Sequence, residues 1–402
     1  MVSRYRFVIA IIIMFIGFST GLNLFPIGPI TPLIITDYRI NNSTAGLLTS
    51  IIFLVQIAFA IPLSTLVGKM QIKTMIVLAT FLGSAPFLTF MVTDNFSVLL
   101  LLRAIHGLGL VLLLSAIGPL FIQWFPSREL PLINGGYILA ASLGLATSTF
   151  LVAPISEVIG WKVVLSGFGA ILLLSSFTWF IFGKAEKIPS NNETRSIIRR
   201  CWEVFRARNT LLLAVADAGP LTLLTVSMAW LPTFYHETYG MSLIKVGNLM
   251  GFLSLSGFLA VILASLLSTR TNKRRPFLII PGIVTGFAGF AAILLTDSFV
   301  IYIAVILIGF TCWFYIPALM TIIMELYAND PRKIALIIAT LMTIGGITSF
   351  IAPPMVGAIA DLTESFVPGL AIFAFISWSL ALAGMLLPET GITRIKQSNN
   401  NQ

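Results

Sequence analysis

The sequence has few charged residues and few of the residue types on which enzymes and metal sites depend. Lys, Arg, Asp and Glu make up 10% of the 402 residues, whereas 57% are hydrophobic. A soluble chain of this length could not bury so much apolar surface. The two cysteines, Cys201 and Cys312, lie far apart in the chain and predict neither a disulfide framework nor a metal site. The composition therefore predicts a polytopic membrane protein.

Catalytic and cofactor motifs are also missing from the sequence. The only histidines, His106 and His236, cannot form a metal-ligand cluster. No Gly-rich phosphate loop precedes a lysine, and no serine falls into a recognisable order with a histidine and an acid. We therefore predict that the protein is not an enzyme and that it has no catalytic residues, metal or cofactor. The net charge of +9 predicts no nucleic-acid partner, because the basic residues fall in short clusters between apolar runs.

What the sequence does contain is a series of apolar runs, each long enough to cross a lipid bilayer as a helix. They predict an all-α membrane protein with twelve transmembrane helices. The twelve predicted spans are Phe7–Ile35, Ala45–Val67, Thr74–Val92, Val98–Phe125, Ile133–Val158, Val163–Phe182, Leu211–Tyr235, Val246–Leu267, Phe277–Leu295, Phe299–Leu326, Ile334–Ala360 and Phe366–Leu387.

The basic residues between these spans predict the orientation of the chain. With both termini in the cytoplasm, 20 of the 24 Lys and Arg residues lie on the inner side, and Arg39, Lys162 and Lys245 lie outside. Arg103 is the one that falls within a span. Cytoplasmic loops carry an excess of Lys and Arg. We therefore predict a multi-pass protein of the plasma membrane with both termini in the cytoplasm.

A polar and charged stretch divides the spans into two groups of six. We predict an N-terminal six-helix bundle over residues 1–183, a cytoplasmic linker over 184–209, a C-terminal six-helix bundle over 210–390 and a cytoplasmic tail over 391–402. Within the linker, the sequence SIIRRCWEVFRAR alternates apolar and basic residues. This pattern predicts an amphipathic helix at the membrane surface that tethers the two halves, with a regulatory docking segment as the alternative.

The two halves resemble each other at a constant offset of 200 or 201 residues. The matched positions are Pro32 and Pro232, Gly46 and Gly247, Gly109 and Gly309, Thr147-Ser148 and Thr348-Ser349, and Pro154 and Pro354. Two parallel six-helix repeats with a binding site between them are a transporter architecture.

The fourth predicted span carries a guanidinium and an imidazole within an apolar run, Leu99–Ile117, which reads LLLLRAIHGLGLVLLLSAI. A cation at this depth costs several kcal/mol unless it faces a cavity or a partner, so Arg103 marks a site by default. The alternative is that Arg103 only joins helices through backbone carbonyls. His106 follows at i+3 on the same face, and Gly107 and Gly109 allow a neighbouring helix to approach closely.

These residues resemble a known family. Arg103-x-x-His106-Gly107-x-Gly109 is similar to the R-x-x-Q-G-x-G motif on the fourth helix of the major facilitator superfamily, with His106 in place of the usual Gln. The first span, GLNLFPIGPITPLI, looks most like the cyanate-permease and nitrate/nitrite-porter branches. The resemblance implies the major facilitator fold, with two six-helix bundles that rock around a central site in alternating access.

The loops after the second and eighth spans resemble the family's loop motif only in outline. Lys69, Lys73, Arg270 and Arg274 keep its basic positions, but its acidic residue is missing from both loops. This absence puts in doubt the ion pair with which the family holds its inner gate. Two carboxylates near the inner ends of other spans, Glu129 and Glu325, are candidate partners for the loop cations, with a solvated loop charge as the alternative.

A carrier also needs polar groups within its spans. The candidate substrate-binding residues are Arg103, His106, Asn23, Gln56, Trp230, Trp313 and Tyr315. Each also has packing or interhelical bonding as its alternative role. Asp217 is the one carboxylate well inside a span. It is the candidate for coupling to protons, and its alternative is a structural partner for a basic loop.

We therefore predict a secondary active transporter of a small anionic or polar organic solute, acting as a monomer in the lipid bilayer with protons as the candidate coupling ion. The alternatives are a proton-coupled exporter of hydrophobic drugs and a non-transporting receptor on the same fold. If Arg103 binds an anionic substrate, Arg103→Ala abolishes binding and leaves the protein folded. If Arg103 joins helices, the variant protein does not fold.

Overall fold

The structure, a computed structural model, consists of helices and connecting loops, with no β-strand among the residues it describes. The described residues are 4–64, 69–91, 95–126, 129–185, 205–271, 273–327 and 331–390. Most of the predicted amphipathic linker segment and the whole predicted tail lie outside these residues, so both stay predictions.

Fifteen α-helices are described, and we number them in chain order. They are α1 (Arg6–Leu22), α2 (Thr31–Tyr38), α3 (Asn42–Ser64), α4 (Ile72–Gly83), α5 (Phe96–Trp124), α6 (Leu130–Ile159), α7 (Trp161–Phe182), α8 (Arg208–Tyr239), α9 (Leu243–Arg270), α10 (Pro276–Leu294), α11 (Ser298–Phe314), α12 (Ile316–Leu326), α13 (Pro331–Thr363), α14 (Val367–Ile376) and α15 (Ser379–Leu386). Two short 3₁₀ segments, Gly28–Ile30 and Ala85–Met91, follow α1 and α4.

Eleven helical segments in the described chain are long and apolar enough to cross a membrane, and the shorter apolar helix α1 belongs to the first predicted span. The prediction of an all-helical membrane protein is confirmed. Several spans are interrupted where the sequence carries proline, which has no N–H to donate. The first span stops at Leu22 and resumes as α2, around Pro26 and Pro29. The tenth is divided at Tyr315, two residues before Pro317.

The chain divides into two compact units. One comprises Met1–Asn192 with Met228–Ser254, and the other Glu193–Ser227 with Leu255–Gln402. In the first unit, one buried cluster joins α1, α4, α5 and α7 and includes Ile13, Met75 and Trp179. The backbones of α1 and α6 approach so closely that a Cβ at Gly144 would collide with the Phe18 carbonyl oxygen. Small residues permit this kind of packing between membrane helices.

The second unit has its own buried core, built from α8, α10, α12, α13 and α15. Leu213, Leu319 and Leu380 each have no exposed surface there. This core surrounds Tyr315 at the division between α11 and α12. The packing therefore fixes a polar side chain inside a unit that is otherwise apolar.

Candidate functional site

Arg103 of α5 is buried and binds the backbone of two neighbouring segments. Its side chain is 3% exposed. Nη1 donates a hydrogen bond to the Asn23 carbonyl oxygen at 2.9 Å, Nη2 to that of Leu24 at 3.0 Å, and Nε to that of Leu48 at 3.2 Å. All three nitrogens of the guanidinium thus have a backbone acceptor.

The position of these acceptors follows from the interruption of the first span. Because α1 ends at Leu22, the carbonyls of Asn23 and Leu24 have no helical N–H four residues ahead. A free carbonyl inside a membrane costs several kcal/mol, since no water is present to bind it. Arg103 supplies the missing donors, and the Leu48 carbonyl extends the contact to α3.

The side chain of Asn23 also stabilises the interruption of the first span, through hydrogen bonds of its own. It is 1% exposed, and its Nδ2 donates to the carbonyls of Ser19 and Phe168, both at 2.9 Å. Asn23 therefore joins the end of α1 to α7, while its own carbonyl accepts from Arg103. The structure brings these two predicted site residues together through backbone atoms.

His106 lies one turn further along α5 and has no exposed surface. Its Nδ1 is 2.5 Å from the carbonyl oxygen of Gly83, the last residue of α4, and its Nε2 has no hydrogen-bond partner among the described residues. Next to this contact, a Cβ at Gly109 would collide with the backbone nitrogen of Gly83. The close helix approach predicted for Gly109 is therefore present, and its partner is α4.

In the second unit, Asp217 of α8 is bound to Tyr315. The Tyr315 hydroxyl donates to Oδ1 of Asp217 at 2.8 Å, and Tyr315 is 1% exposed. Asp217 itself is partly buried. The two residues are 98 positions apart, so the sequence identified both of them without indicating that they pair. This pair places an acidic group and a phenol together inside membrane helices.

Hydroxyl groups continue from Asp217 along the interface between α8 and α13. The Thr222 hydroxyl donates to that of Thr348 at 2.7 Å, and the Thr225 hydroxyl lies 3.4 Å from that of Ser349. In the sequence, Thr348 and Ser349 are distinguished only by their match to Thr147 and Ser148 in the first repeat. Their position in a polar stripe with Asp217 is information that only the fold provides.

The remaining predicted substrate residues lie in different environments. Gln56 of α3 is half-buried, Trp230 of α8 has no exposed surface, and Trp313 of α11 is half-buried. Trp313 packs against α9, where a Cβ at Gly257 would collide with the indole ring. The described contacts give Trp313 a packing role, and substrate binding by these three residues stays a prediction.

The loop between α9 and α10 is fixed by an ion pair and several hydrogen bonds. Arg274 is 8% exposed, and its Nη2 lies 3.1 Å from Oε1 of Glu325. Its Nη1 donates to the carbonyls of Ser268 and Thr271, and its backbone N–H donates to Glu389 at 2.6 Å. Glu325 is one of the two carboxylates predicted as partners of the loop cations, whereas Glu389, which follows the last helix, was not predicted.

The corresponding loop of the first unit differs. Glu129 pairs with Arg6, the first residue of α1, at 3.1 Å. Lys69 is exposed, and Lys73 is half-buried with its ammonium 5.9 Å from the Phe180 ring. Arg270 of the second unit is exposed as well. A gating role for these loop residues stays a prediction.

Ionisable groups inside membrane-spanning helices, such as Arg103 and Asp217, mark substrate or ion pathways in membrane proteins. The Major Facilitator Superfamily family model matches residues 11–353. The chain therefore belongs to this superfamily of membrane transporters. The predicted membership of the major facilitator superfamily is confirmed.

Individual relatives match at low to moderate identity. An uncharacterised protein of Campylobacter jejuni is 30% identical over 219 residues, 54% of this chain and 66% of that protein. A putative tartrate transporter of Agrobacterium vitis is 24% identical over 404 residues, 91% of this chain and 86% of that protein. A probable nitrate transporter of Staphylococcus carnosus is 26% identical over 178 residues, 43% of this chain and 45% of that protein. The chain thus spans less than two thirds of the first and third of these relatives.

The solved structure of the nucleoside transporter NupG matches with a TM-score of 0.77 at 14% identity, covering 95% of this chain and 99% of that one. At this identity the match shows the fold alone. It confirms the major facilitator fold.

Proposed function

We propose that this protein is a secondary active transporter of small organic or inorganic anions. The observation that carries the proposal is the match to a putative tartrate transporter over 91% of the chain. A second relative that matches part of the chain is a probable nitrate transporter. Tartrate and nitrate differ in size, but both are anions, and this shared property defines the proposed substrate class.

Within this proposal, Arg103 is a positioning residue for the first span. Its three nitrogen atoms bind backbone carbonyls, and its side chain is 3% exposed. These contacts favour the helix-joining role over direct binding of an anion in this conformation. Arg103 and Asn23 stabilise a stretch of non-helical backbone within the first span. Membrane proteins tolerate such backbone where it is buried in protein or lines a water-filled cavity.

Asp217 is the proposed proton carrier. It is a carboxyl group within a membrane span, with a phenol as its hydrogen-bond donor at 2.8 Å. Ionisable residues inside spans mark ion pathways and proton relays. The hydroxyl pairs of Thr222 with Thr348 and of Thr225 with Ser349 add further polar groups between α8, which carries Asp217, and α13.

The function is tested by transport with purified protein in liposomes. We expect saturable uptake of radiolabelled tartrate or nitrate, reduced by an excess of the same unlabelled anion. Uridine serves as the neutral comparison solute. Uptake of uridine with neither anion transported would assign a neutral solute and contradict the proposal, as would a total absence of uptake above that of protein-free liposomes.

The proposed orientation has both termini in the cytoplasm, on the basis of the distribution of Lys and Arg. In a background with Cys201 replaced by Ser, we expect cysteines at Ser190 and Asn272 to react with membrane-impermeant thiol reagents only from the cytoplasmic side. A cysteine at Asn42 should react only from outside. Labelling of Asn42 and Asn272 from the same side would contradict the twelve-span orientation.

A further inference from the structure

At one end of the first unit, a cavity of about 570 Å³ opens where α4 begins and where α5 and α7 end. Its volume is within the range of small-molecule sites in proteins. The described lining residues are Lys73, Gln123, Trp124, Gly183, Lys184 and Ala185. Two of these side chains are cationic, one is an amide, and none is acidic.

Indole hydrogen bonds fix the backbone at both lysines. The Trp179 Nε1 donates to the Lys73 carbonyl oxygen at 3.2 Å, and the Trp124 Nε1 donates to that of Lys184 at 2.7 Å. Just before Lys184, the Gly183 N–H closes the last turn of α7 by donating to the Trp179 carbonyl, and a Cβ at Gly183 would collide with that carbonyl. Both lysines therefore line the cavity from backbone positions that an indole hydrogen bond fixes.

Neither ammonium group has a carboxylate within ion-pair distance in the part of the chain that the structure describes. Lys184 lies 4.2 Å from the Tyr5 ring, and Lys73 lies 5.9 Å from the Phe180 ring. By contrast, the neighbouring Arg6 already has Glu129 as its partner at 3.1 Å. Among the described residues, the groups closest to the two ammonium groups are therefore aromatic rings and not carboxylates, which leaves both charges available for an anionic ligand.

We propose that this cavity binds a phosphate group, which Lys73 and Lys184 neutralise. Lysine binds phosphate as a point charge. Tyr5 and Trp124 are of the residue types that gather at the membrane–water interface, and basic pockets between helices at that level bind anionic headgroups. The phosphate is presented by an anionic phospholipid or by a soluble phosphate ester, which share this chemistry.

The test compares the thermal stability of the full chain in nanodiscs of phosphatidylcholine alone with nanodiscs that also contain phosphatidylglycerol. We expect phosphatidylglycerol to raise the Tm of the wild-type protein by a few degrees, as for a ligand that binds only the folded state. The double variant Lys73→Gln/Lys184→Gln should lose this rise. The double variant Lys73→Arg/Lys184→Arg should keep it.

A matched control separates the cavity from general attraction between a basic protein and an anionic membrane. Lys69→Gln/Lys245→Gln removes the same charge from positions outside the cavity and should respond to phosphatidylglycerol as the wild type does. A parallel titration with glycerol 3-phosphate in phosphatidylcholine nanodiscs shows whether the bound phosphate group belongs to a lipid or to a soluble compound. If only this compound stabilises the wild type and not Lys73→Gln/Lys184→Gln, the ligand is soluble.

Native mass spectrometry of the wild type adds a measurement that requires no variant. We expect the protein to retain phosphatidylglycerol in preference to phosphatidylcholine, or to retain glycerol 3-phosphate. Equal stabilisation of wild type and Lys73→Gln/Lys184→Gln by both phosphate compounds overturns the proposal, as does the absence of any stabilisation. These outcomes do not depend on whether the protein transports tartrate or nitrate.

Discussion

Arg103→Ala should destabilise the purified protein by about 3 kcal/mol or more and lower its Tm accordingly. The reason is that three backbone carbonyls, of Asn23, Leu24 and Leu48, lose a donor, and hydrogen bonds to a charged group contribute about 1.5–3 kcal/mol each. Arg103→Lys should show an intermediate loss, since one ammonium group cannot replace a planar guanidinium with three separate acceptors. Thermal unfolding followed by intrinsic fluorescence or by aggregation measures both variants.

Two controls separate this effect from a general loss of charge or of helix packing. Arg270→Ala removes an exposed arginine, and His106→Gln restores the residue that is usual in the family motif and can still donate to the Gly83 carbonyl. Both should keep a Tm close to that of the wild type. An Arg103→Ala protein that is as stable as the wild type but binds no substrate would instead establish Arg103 as a direct ligand of the anion. Normal stability together with normal transport would exclude both roles.

Asp217→Asn should abolish accumulation of substrate driven by a pH gradient, while exchange of substrate down its own gradient continues. The amide has nearly the shape of the carboxyl group and can still accept from the Tyr315 hydroxyl, but it cannot take up or release a proton. Proteoliposomes loaded at one pH and diluted into another measure accumulation, and preloaded proteoliposomes at equal pH measure exchange. The substrate in both measurements is whichever of the two anions, tartrate or nitrate, the protein transports.

Tyr315→Phe is the matched variant for this experiment, because it removes the hydrogen bond and keeps the carboxyl group. We expect it to retain accumulation with a changed dependence on pH. Asp361→Asn, at an exposed position of α13, should behave as the wild type does. If Asp217→Asn accumulates substrate normally at every pH, Asp217 is a structural partner of Tyr315 and protons are not coupled through it.

The sequence predicted the membrane spans well because apolar runs and basic loops follow directly from the cost of placing charge in lipid. It predicted the first span as one continuous run, Phe7–Ile35, although Pro26, Gly28 and Pro29 stand close together where the structure interrupts that span. It did not indicate the division of the tenth span at Tyr315. Pro317 is the residue that marks this division. The apolar run Phe299–Leu326 is nevertheless continuous on both sides of it, so hydropathy alone predicts one unbroken helix.

The contacts of the candidate residues could not be predicted for a physical reason. The acceptors of Arg103 are carbonyl groups, which every residue carries, so no side-chain pattern identifies them. The Asp217–Tyr315 and Arg274–Glu389 contacts join residues 98 and 115 positions apart, and helix packing rather than spacing brings them together. The sequence therefore identifies ionisable groups inside spans, whereas only the fold shows which partner each one has.

The contact between Arg103 and the first span has a consequence for how the protein is made. The Asn23 carbonyl is bound by a residue 80 positions later in the chain. The first span therefore leaves the ribosome and enters the membrane before the donor for its exposed carbonyls has been synthesised. Until the fourth span arrives, those carbonyls need water or the insertion machinery as their partner. Completion of the first span is thus a late event in biogenesis, although it comes first in the sequence.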